Sequence, residues 1–566
     1  MEQKKELSME TRLLLAFLLM GLVLFGTQYF YKPPAQPAAA ATKTPPAAAT
    51  VPGDAKTIQK EAEAPAPSTA QPPAEMPGQI HADKEETVTI ETDRYRVDFS
   101  NRGAVVRSWI LKDYKDRKGT SLDLVNSAAL GKAPDPFSLA FKSDPPPVNA
   151  NVALYKVDRA PDGLGVAFEY SDGRSDVKKR FTFLKSSYLV DVKAEVMQNG
   201  VPVAHAIAWR GGFGDETVVN AANDQHSVYY DLNASKLIEN DAKKGKDGPV
   251  PVTGRFSFAG LEDKYFAAVF LPRGHATVEA TTYSDNVPSD GAAEAPHVGA
   301  GVGGEGVNDF SFFVGPKDTD LLKKVDPKLE TLIDWGWFEI LAKPLFLVLN
   351  WTAHWVHNWG WAIILVTVAI NLLLFPLRIT SMKSSKKMQR LQPQIKAIND
   401  KYKGISMRDP KKTEQNQEIM DLYKREGVNP MGGCLPMVIQ LPFLYAFYKV
   451  LYVSIEMRGA PWLWVHDLSQ PETLAIRILP ILLIVTQFVS QKMTPTSPGA
   501  DPSQQKMMMI MPLVFGYIFY FLSSGLVLYY LTGNVVGIAL QMLMNRGGAP
   551  PAPVVVDVKP TPKRKR

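Results

Sequence analysis

Thr367, Asn371 and Arg378 fall at intervals of four and seven residues along the run IILVTVAINLLLFPLRIT, a spacing that brings them near one face of a helix. Their chemistry is hydrogen bonding; none of them attacks a bond. Gln440, Thr486, Gln487, Tyr529, Tyr530 and Asn534 interrupt three further apolar runs in the same way. Polar groups in hydrocarbon are costly, so the set reads as the lining of a polar cavity within a membrane. The candidate groove residues are Thr367, Asn371, Arg378, Gln440, Gln487, Tyr529, Tyr530 and Asn534. Taken singly, each is better explained as an ordinary interhelical hydrogen bond, and their grouping toward the inner half of the spans is what argues for a cavity. Arg378 either snorkels outward or bends in.

The elements that must carry these residues are five apolar stretches, roughly 359–377, 432–454, 473–491, 507–523 and 525–544. Each is near the ~20 residues that ~30 Å of hydrocarbon requires. A sixth, 13–31, follows Lys4, Lys5 and Arg12 and ends in the bulky Tyr29, Phe30 and Tyr31, so residues 1–32 read as an uncleaved anchor rather than a signal peptide. The 566 residues are 45% hydrophobic, with most of that at the two ends of the chain, as in a membrane protein carrying a large polar domain. Net charge is +6, and its placement orients the chain. Residues 381–430 hold twelve Lys and Arg, whereas 454–472 hold one, Arg458; the first segment is therefore expected in the cytoplasm and the second outside. The expected topology has six crossings, both termini in the cytoplasm and residues 33–358 outside.

Residues 33–80 are Ala/Pro-rich and cannot bury a core, so they read as a tether. From 81 to 325 short period-two runs alternate with Gly, Asn, Asp and Pro, the pattern of antiparallel strands in a sandwich. Within it GAGVGGEG, with Gly299, Gly301 and Gly304, fits a dinucleotide fingerprint, but no helix pattern follows and a flexible glycine loop is expected. His205, His226, His275 and His297 are scattered without an acid/base constellation. HExxH, GxSxG and P-loop patterns are absent, and the single Cys434 excludes a disulfide framework and a cysteine-based zinc site. Neither a cofactor, nor a metal, nor enzymatic activity is expected.

Six of the ten tryptophans, 335, 337, 351, 355, 359 and 361, cluster before the second span, which suggests an interfacial amphipathic helix over 332–357; the alternative is a buried core helix. Within the core, 358–546, the insert 381–430 reads as a helical hairpin. Met388, Leu391, Ile395, Ile398 and Tyr402 form a seam, Pro393 is expected to kink the first arm, Asp409 caps the second with Pro410 in its first turn, and Ile419, Leu422 and Tyr423 face back. Its cations, among them Lys383, Lys386, Lys387, Arg390, Lys411 and Lys412, suggest a docking arm for a ribosome, an acidic lipid surface or an incoming chain; topology alone is the plainer account. A basic tail, 547–566, ends in KRKR. Methionines near the cytoplasmic ends, such as Met431, Met437, Met507 and Met542, suit a surface that accepts varied apolar partners or simply fill a loose bundle.

The runs LQPQIKAINDKY, LYKREGVNPMGGCLPMVIQLPFLYAFY, WVHDLSQPE, QKMTPTSP, DPSQQKMMMIMP and SSGLVLYYLTGN closely resemble the YidC membrane protein insertases, relatives of the mitochondrial oxidase-assembly and chloroplast Albino insertases. The resemblance covers about 335–546, and more loosely the whole chain, in the Gram-negative arrangement with a large outer domain. It implies an α-helical transmembrane bundle, an N-terminal anchor plus a five-helix core, with an all-β periplasmic supersandwich similar to sugar mutarotases, in the bacterial inner membrane. It also implies a chaperone-like catalyst of insertion: a groove open to cytoplasm and lipid receives nascent membrane proteins, alone or beside a Sec-type translocon, and the tail helps hold a ribosome. No sequence-specific nucleic-acid binding is implied. Thr367 and Tyr530 match groove positions of the family, whereas Asn371 stands where many members carry arginine, and Arg378 is the candidate replacement. A multi-span transporter and a membrane-anchored carbohydrate protein are the rival readings; no internal repeat supports the first.

Overall fold

The computed structural model describes residues 78–546 apart from 144, 219–220, 290–292, 403, 405–408, 429–434 and 494–501. The expected anchor, nearly all of the tether, Met431, Cys434 and the basic tail lie outside the described residues.

Where the sequence alternates, burial alternates: all nine positions of Ser175–Phe183 are buried and exposed in turn. The strands form a four-stranded antiparallel sheet over residues 87–123 and a fourteen-stranded one. The larger sheet folds over on Val250–Glu262. The first half of this strand pairs with Thr277–Pro288, its second half with Phe266–Pro272 and His226–Asp231. Its burial follows suit, alternating at first and then continuous from Phe256 to Glu262, as a strand does when it passes from a wet face into the core. Aromatic rings fill that core: Phe137 lies 6.1 Å from Trp109 and 5.1 Å from Phe312. Buried Lys179 is satisfied there by the carbonyls of Gly103, Ala104 and Phe137, at 2.8, 3.1 and 2.7 Å.

The expected glycine loop is a strand. Glu294–Gly304 runs between His205–Trp209 and Thr277–Pro288. The glycines serve close approach rather than flexibility: a methyl on Gly303 would press on the His205 carbonyl and lie 2.5 Å from Ala206 Cα, and one on Gly301 would lie 3.0 Å from the Tyr283 ring.

Five short elements lead from the sheets into the helical region: α1 (Thr319–Val325), α2 (Glu339–Val356), α3 (Trp359–Leu373), α4 (Phe375–Arg390) and α5 (Gln392–Lys401). They are followed by α6 (Pro410–Arg425), α7 (Leu435–Val453), α8 (Ile478–Met493), α9 (Pro502–Tyr520) and α10 (Ser524–Arg546). Helix α2 buries Ala342, Phe346, Leu349 and Ala353 while Trp351 and Trp355 stand 71% and 72% exposed, so it has two apolar faces, one packed on α3 and α7 and one open. An open apolar face rimmed by tryptophan suits lipid. Among the described residues one helix, over Ser524–Met544, is by itself long and apolar enough to cross a membrane, and α3 with the start of α4 passes only as a pair bent by 51°. The other expected spans fall on helices of 16 to 19 residues.

Among the described residues, 393–427 belong to a compact unit separate from the rest. Helix α4 ends at Arg390 and α5 starts at Gln392, so the arm breaks just ahead of Pro393, which cannot donate a helical hydrogen bond. Asp409 accepts from the Lys411 amide at 3.0 Å and Pro410 occupies the first turn of α6. The two arms are joined by Lys401 to Glu418 at 2.5 Å and Gln415 to Asn399 at 2.7 Å.

Two outcomes follow for the β region. Gly303→Val is expected to destabilise it by on the order of 3 kcal/mol through overpacking against a neighbouring backbone, read as a lowered melting temperature in detergent. His297 is fully buried; burial disfavours its charge, but Glu216 at 3.2 Å and the Ala295 carbonyl outweigh that and raise its pKa. A raised histidine pKa stabilises fully below about 6.5 and less as pH climbs through the folded value. The melting temperature should therefore fall from pH 6 to 8 by more than in His297→Gln; identical pH profiles would show that the pair contributes nothing.

Candidate functional site

Helix α3 begins at Asn358, whose side chain accepts from the Trp361 amide, and carries Thr367 and Asn371 two and three turns further on. Both are buried, Thr367 completely. The Thr367 hydroxyl and one of the two Asn371 amide hydrogens bond back to their own helix: Thr367 Oγ1 to the Ile363 carbonyl at 2.6 Å and Asn371 Nδ2 to the Thr367 carbonyl at 2.8 Å. This leaves each acceptor atom free for a further bond.

Arg378 does not continue that helix face. The chain bends by 51° between α3 and α4, with Pro376 in the first turn of α4, where its ring would crowd the carbonyl four residues back in a continuous helix. The bend nonetheless carries the guanidinium back into the bundle. Its Nη2 reaches Gln440 Oε1 on α7 at 3.5 Å, and its Nη1 lies 2.9 Å from where a Gly537 methyl would stand on α10. The Asn371 amide lies 3.9 Å from the corresponding position of Gly533, one turn earlier. Asn371 and Arg378 thus share one face of α10 although they do not share a helix.

That face is a GxxxG pattern, Gly533-Asn-Val-Val-Gly537, which polar side chains alone do not mark. Paired glycines let a helix backbone approach another closely, and here they make room for an amide and a guanidinium. Beside them, Asn534 Nδ2 is buried without a hydrogen-bond partner among the described residues. Tyr529 is buried and stacks on Phe447 at 4.2 Å, and half-buried Tyr530 packs edge-on against Phe519 at 4.5 Å. Gln487 on α8 is half-buried, and its neighbour Thr486 bonds back to Leu483 at 2.9 Å.

Of the candidate docking cations, Lys383, Lys387, Arg390 and Lys411 are exposed and Lys386 is half-buried; the side chain of Lys412 lies outside the described residues. In the β region His297 forms no open site. Ser289 and Glu216 both converge on Nε2 of buried His297, at 2.9 and 3.2 Å, and Nδ1 donates to Ala295, so the ring is used up structurally. No cluster of three or more candidate metal ligands occurs among the described residues.

Two family models cover most of the chain: the YidC periplasmic domain over residues 87–348 and the 60Kd inner membrane protein over 351–550. Among curated proteins the chain is 36% identical to the membrane protein insertase YidC of Cupriavidus necator, over 92% of this chain and 91% of that one. It is 32% identical to that of Geotalea daltonii, over 95% and 99%. A crystal structure of an active YidC insertase with its first transmembrane domain resolved matches at 20% identity and a TM-score of 0.34, covering 81% of this chain and 93% of that one, a likeness too slight to carry an argument. The β-rich part accordingly matches the periplasmic domain of the family, and the helical part its inner membrane protein region. With relatives matched nearly end to end, the chain belongs to the YidC family of membrane protein insertases.

Proposed function

We propose that this insertase works through a polar groove between α3, α4, α7 and α10, open toward the cytoplasm and lipid, that receives the polar part of a nascent membrane protein. What supports the reading is the row of Asn371, Arg378 and unpartnered Asn534 along the Gly533 and Gly537 face of α10. A polypeptide entering hydrocarbon exposes backbone groups that cost several kcal/mol each when unsatisfied. A groove that reaches part way across the membrane shortens the stretch over which they face lipid. The substrate's apolar helix then partitions sideways, driven by roughly 25 cal/mol per Å² of buried apolar surface, with no nucleotide consumed.

Placement of charge supports the rest of the reading: six crossings, both termini in the cytoplasm, and the exposed cations of 383–411 on that side as a surface for an incoming chain or a ribosome. A Sec-type translocon is the natural companion for substrates with large outer domains.

Arg378 replaces the family's groove arginine in this reading. A guanidinium keeps its charge in nearly any environment, so held by Gln440 against Gly537 it offers a fixed cation to acidic substrate segments.

Purified protein in liposomes, supplied with a small single-span substrate from cell-free synthesis, is expected to protect that substrate from added protease well above empty liposomes. Thr367→Ala/Asn371→Ala/Tyr530→Ala, checked for folding by gel filtration, should fall to the empty-liposome level; full activity in that variant would remove the groove. Arg378→Ala should slow insertion of substrates with acidic translocated segments about tenfold more than neutral ones, with Arg378→Lys intermediate. If Arg378→Ala is silent and Asn371→Ala alone abolishes insertion, Arg378 is not the replacement.

A further inference from the structure

The loop over residues 454–472, between α7 and α8, touches both the periplasmic domain and the starts of the helices that carry the groove residues. On the domain side, Arg458 ion-pairs with Asp215, the two side chains being 9% and 1% exposed, and donates to the Lys115 carbonyl at 2.8 Å. Its guanidinium lies 5.4 Å from the ring centres of both Tyr265 and Phe266. Asp215 is set in advance: Thr217 donates to its Oδ1 through both backbone and hydroxyl, at 3.0 and 2.5 Å. At the rim, Arg117 donates to Gln470 at 3.2 Å and the Lys264 ammonium lies 3.7 Å from the Tyr452 ring centre.

On the helix side the same loop is bound through its backbone. The Pro461 carbonyl accepts from Asn358 Nδ2 at 3.0 Å, at the N-cap of α3. Trp462 fills the space beside Gly360, where a methyl would lie 2.6 Å from its Cβ. The Leu468 carbonyl accepts from the Gly525 amide at 2.9 Å, and the Gln470 carbonyl from both the amide and the hydroxyl of Ser524 at 2.8 Å. Ser524 and Gly525 open α10. One loop therefore holds the outer ends of α3, with Thr367 and Asn371, and of α10, with Tyr529, Tyr530 and Asn534.

A tether alone needs no such construction. Arg458 is buried against a carboxylate, a carbonyl and two rings. Removing one partner of a buried pair leaves the other charge uncompensated, so the contact is strongly biased toward a single closed arrangement.

We propose that Arg458 is a positioning residue of the insertase: its pairing with Asp215 fixes the 454–472 loop, and through it keeps the outer ends of α3 and α10 together, so that the groove is shut toward the periplasm. This rests on the groove reading above. The periplasmic domain then acts on insertion without touching substrate, as the anchor of the outer seal.

The test uses the full chain in liposomes with Cys434→Ser and Leu526→Cys, a buried position just inside the start of α10. A membrane-impermeant maleimide is added on the side of the periplasmic domain. Arg458→Glu and Asp215→Arg should each raise the labelling rate of the introduced thiol at least tenfold and slow insertion several-fold, while the double exchange Arg458→Glu/Asp215→Arg restores both. Restoration is the readout that mere loss of stability would not give. Arg117→Ala, which removes only the exposed bond to Gln470, should move both quantities the same way by less, and keeps the test open if Arg458→Glu does not accumulate. Single variants that label and insert like the parent, labelling that rises with insertion unchanged, or a double exchange as impaired as the singles would each overturn the proposal. Thiol labelling does not pass through Thr367, Asn371 or Tyr530, so an active groove triple variant beside a labelling response would strike down the groove and not the seal.

Discussion

Hydrocarbon offers a polar group no partner, so every hydrogen-bonding side chain in the helical region has to be satisfied by the chain itself or by what it binds. The described helices follow this constraint closely. Thr367, Thr380 and Thr532 return their hydroxyls to carbonyls four residues back, and Asn371 does the same with its amide. Among the described residues of α10, Asn534, next to Gly533, keeps a buried amide nitrogen unmatched, and Arg378 meets Gln440 beside Gly537.

The periplasmic domain meets a different constraint, the need to keep two layers of sheet in register around a bulky aromatic core. Val250–Glu262 supplies the continuity by pairing in both layers, and the glycines of Glu294–Gly304 let neighbouring strands crowd against it. The domain meets the membrane region through polar contacts that include buried Arg458 with buried Asp215, and buried Lys449 with exposed Asp334 at 2.6 Å, where desolvation would raise the carboxyl but the ammonium holds it below its usual range. Both pairs join residues far apart in the chain, one member on each side of the junction. Such contacts fix orientation more than they add stability.

The length and polarity of the apolar runs, the alternation of the β region, the cap at Asp409 and the break before Pro393 are local properties of the chain, and sequence alone determined them because each depends on residues within one or two turns. The resemblance of the core motifs likewise named the family without any coordinates. The glycine strand reads as a loop along the chain because the reason for its glycines lies in His205, Ala206 and Tyr283, distant in sequence and adjacent in space. Arg378 was placed on one helix face with Thr367 and Asn371 by a spacing rule that assumes a straight helix, which the bend before Pro376 breaks. Only the tertiary structure decided that Arg378 and Asn371 meet again across α10, that Asn534 Nδ2 is left unmatched among the described residues, and that Arg458 is buried against the periplasmic domain. Each of these depends on which surfaces pack together, and a pattern along the chain carries no record of a neighbour hundreds of residues away.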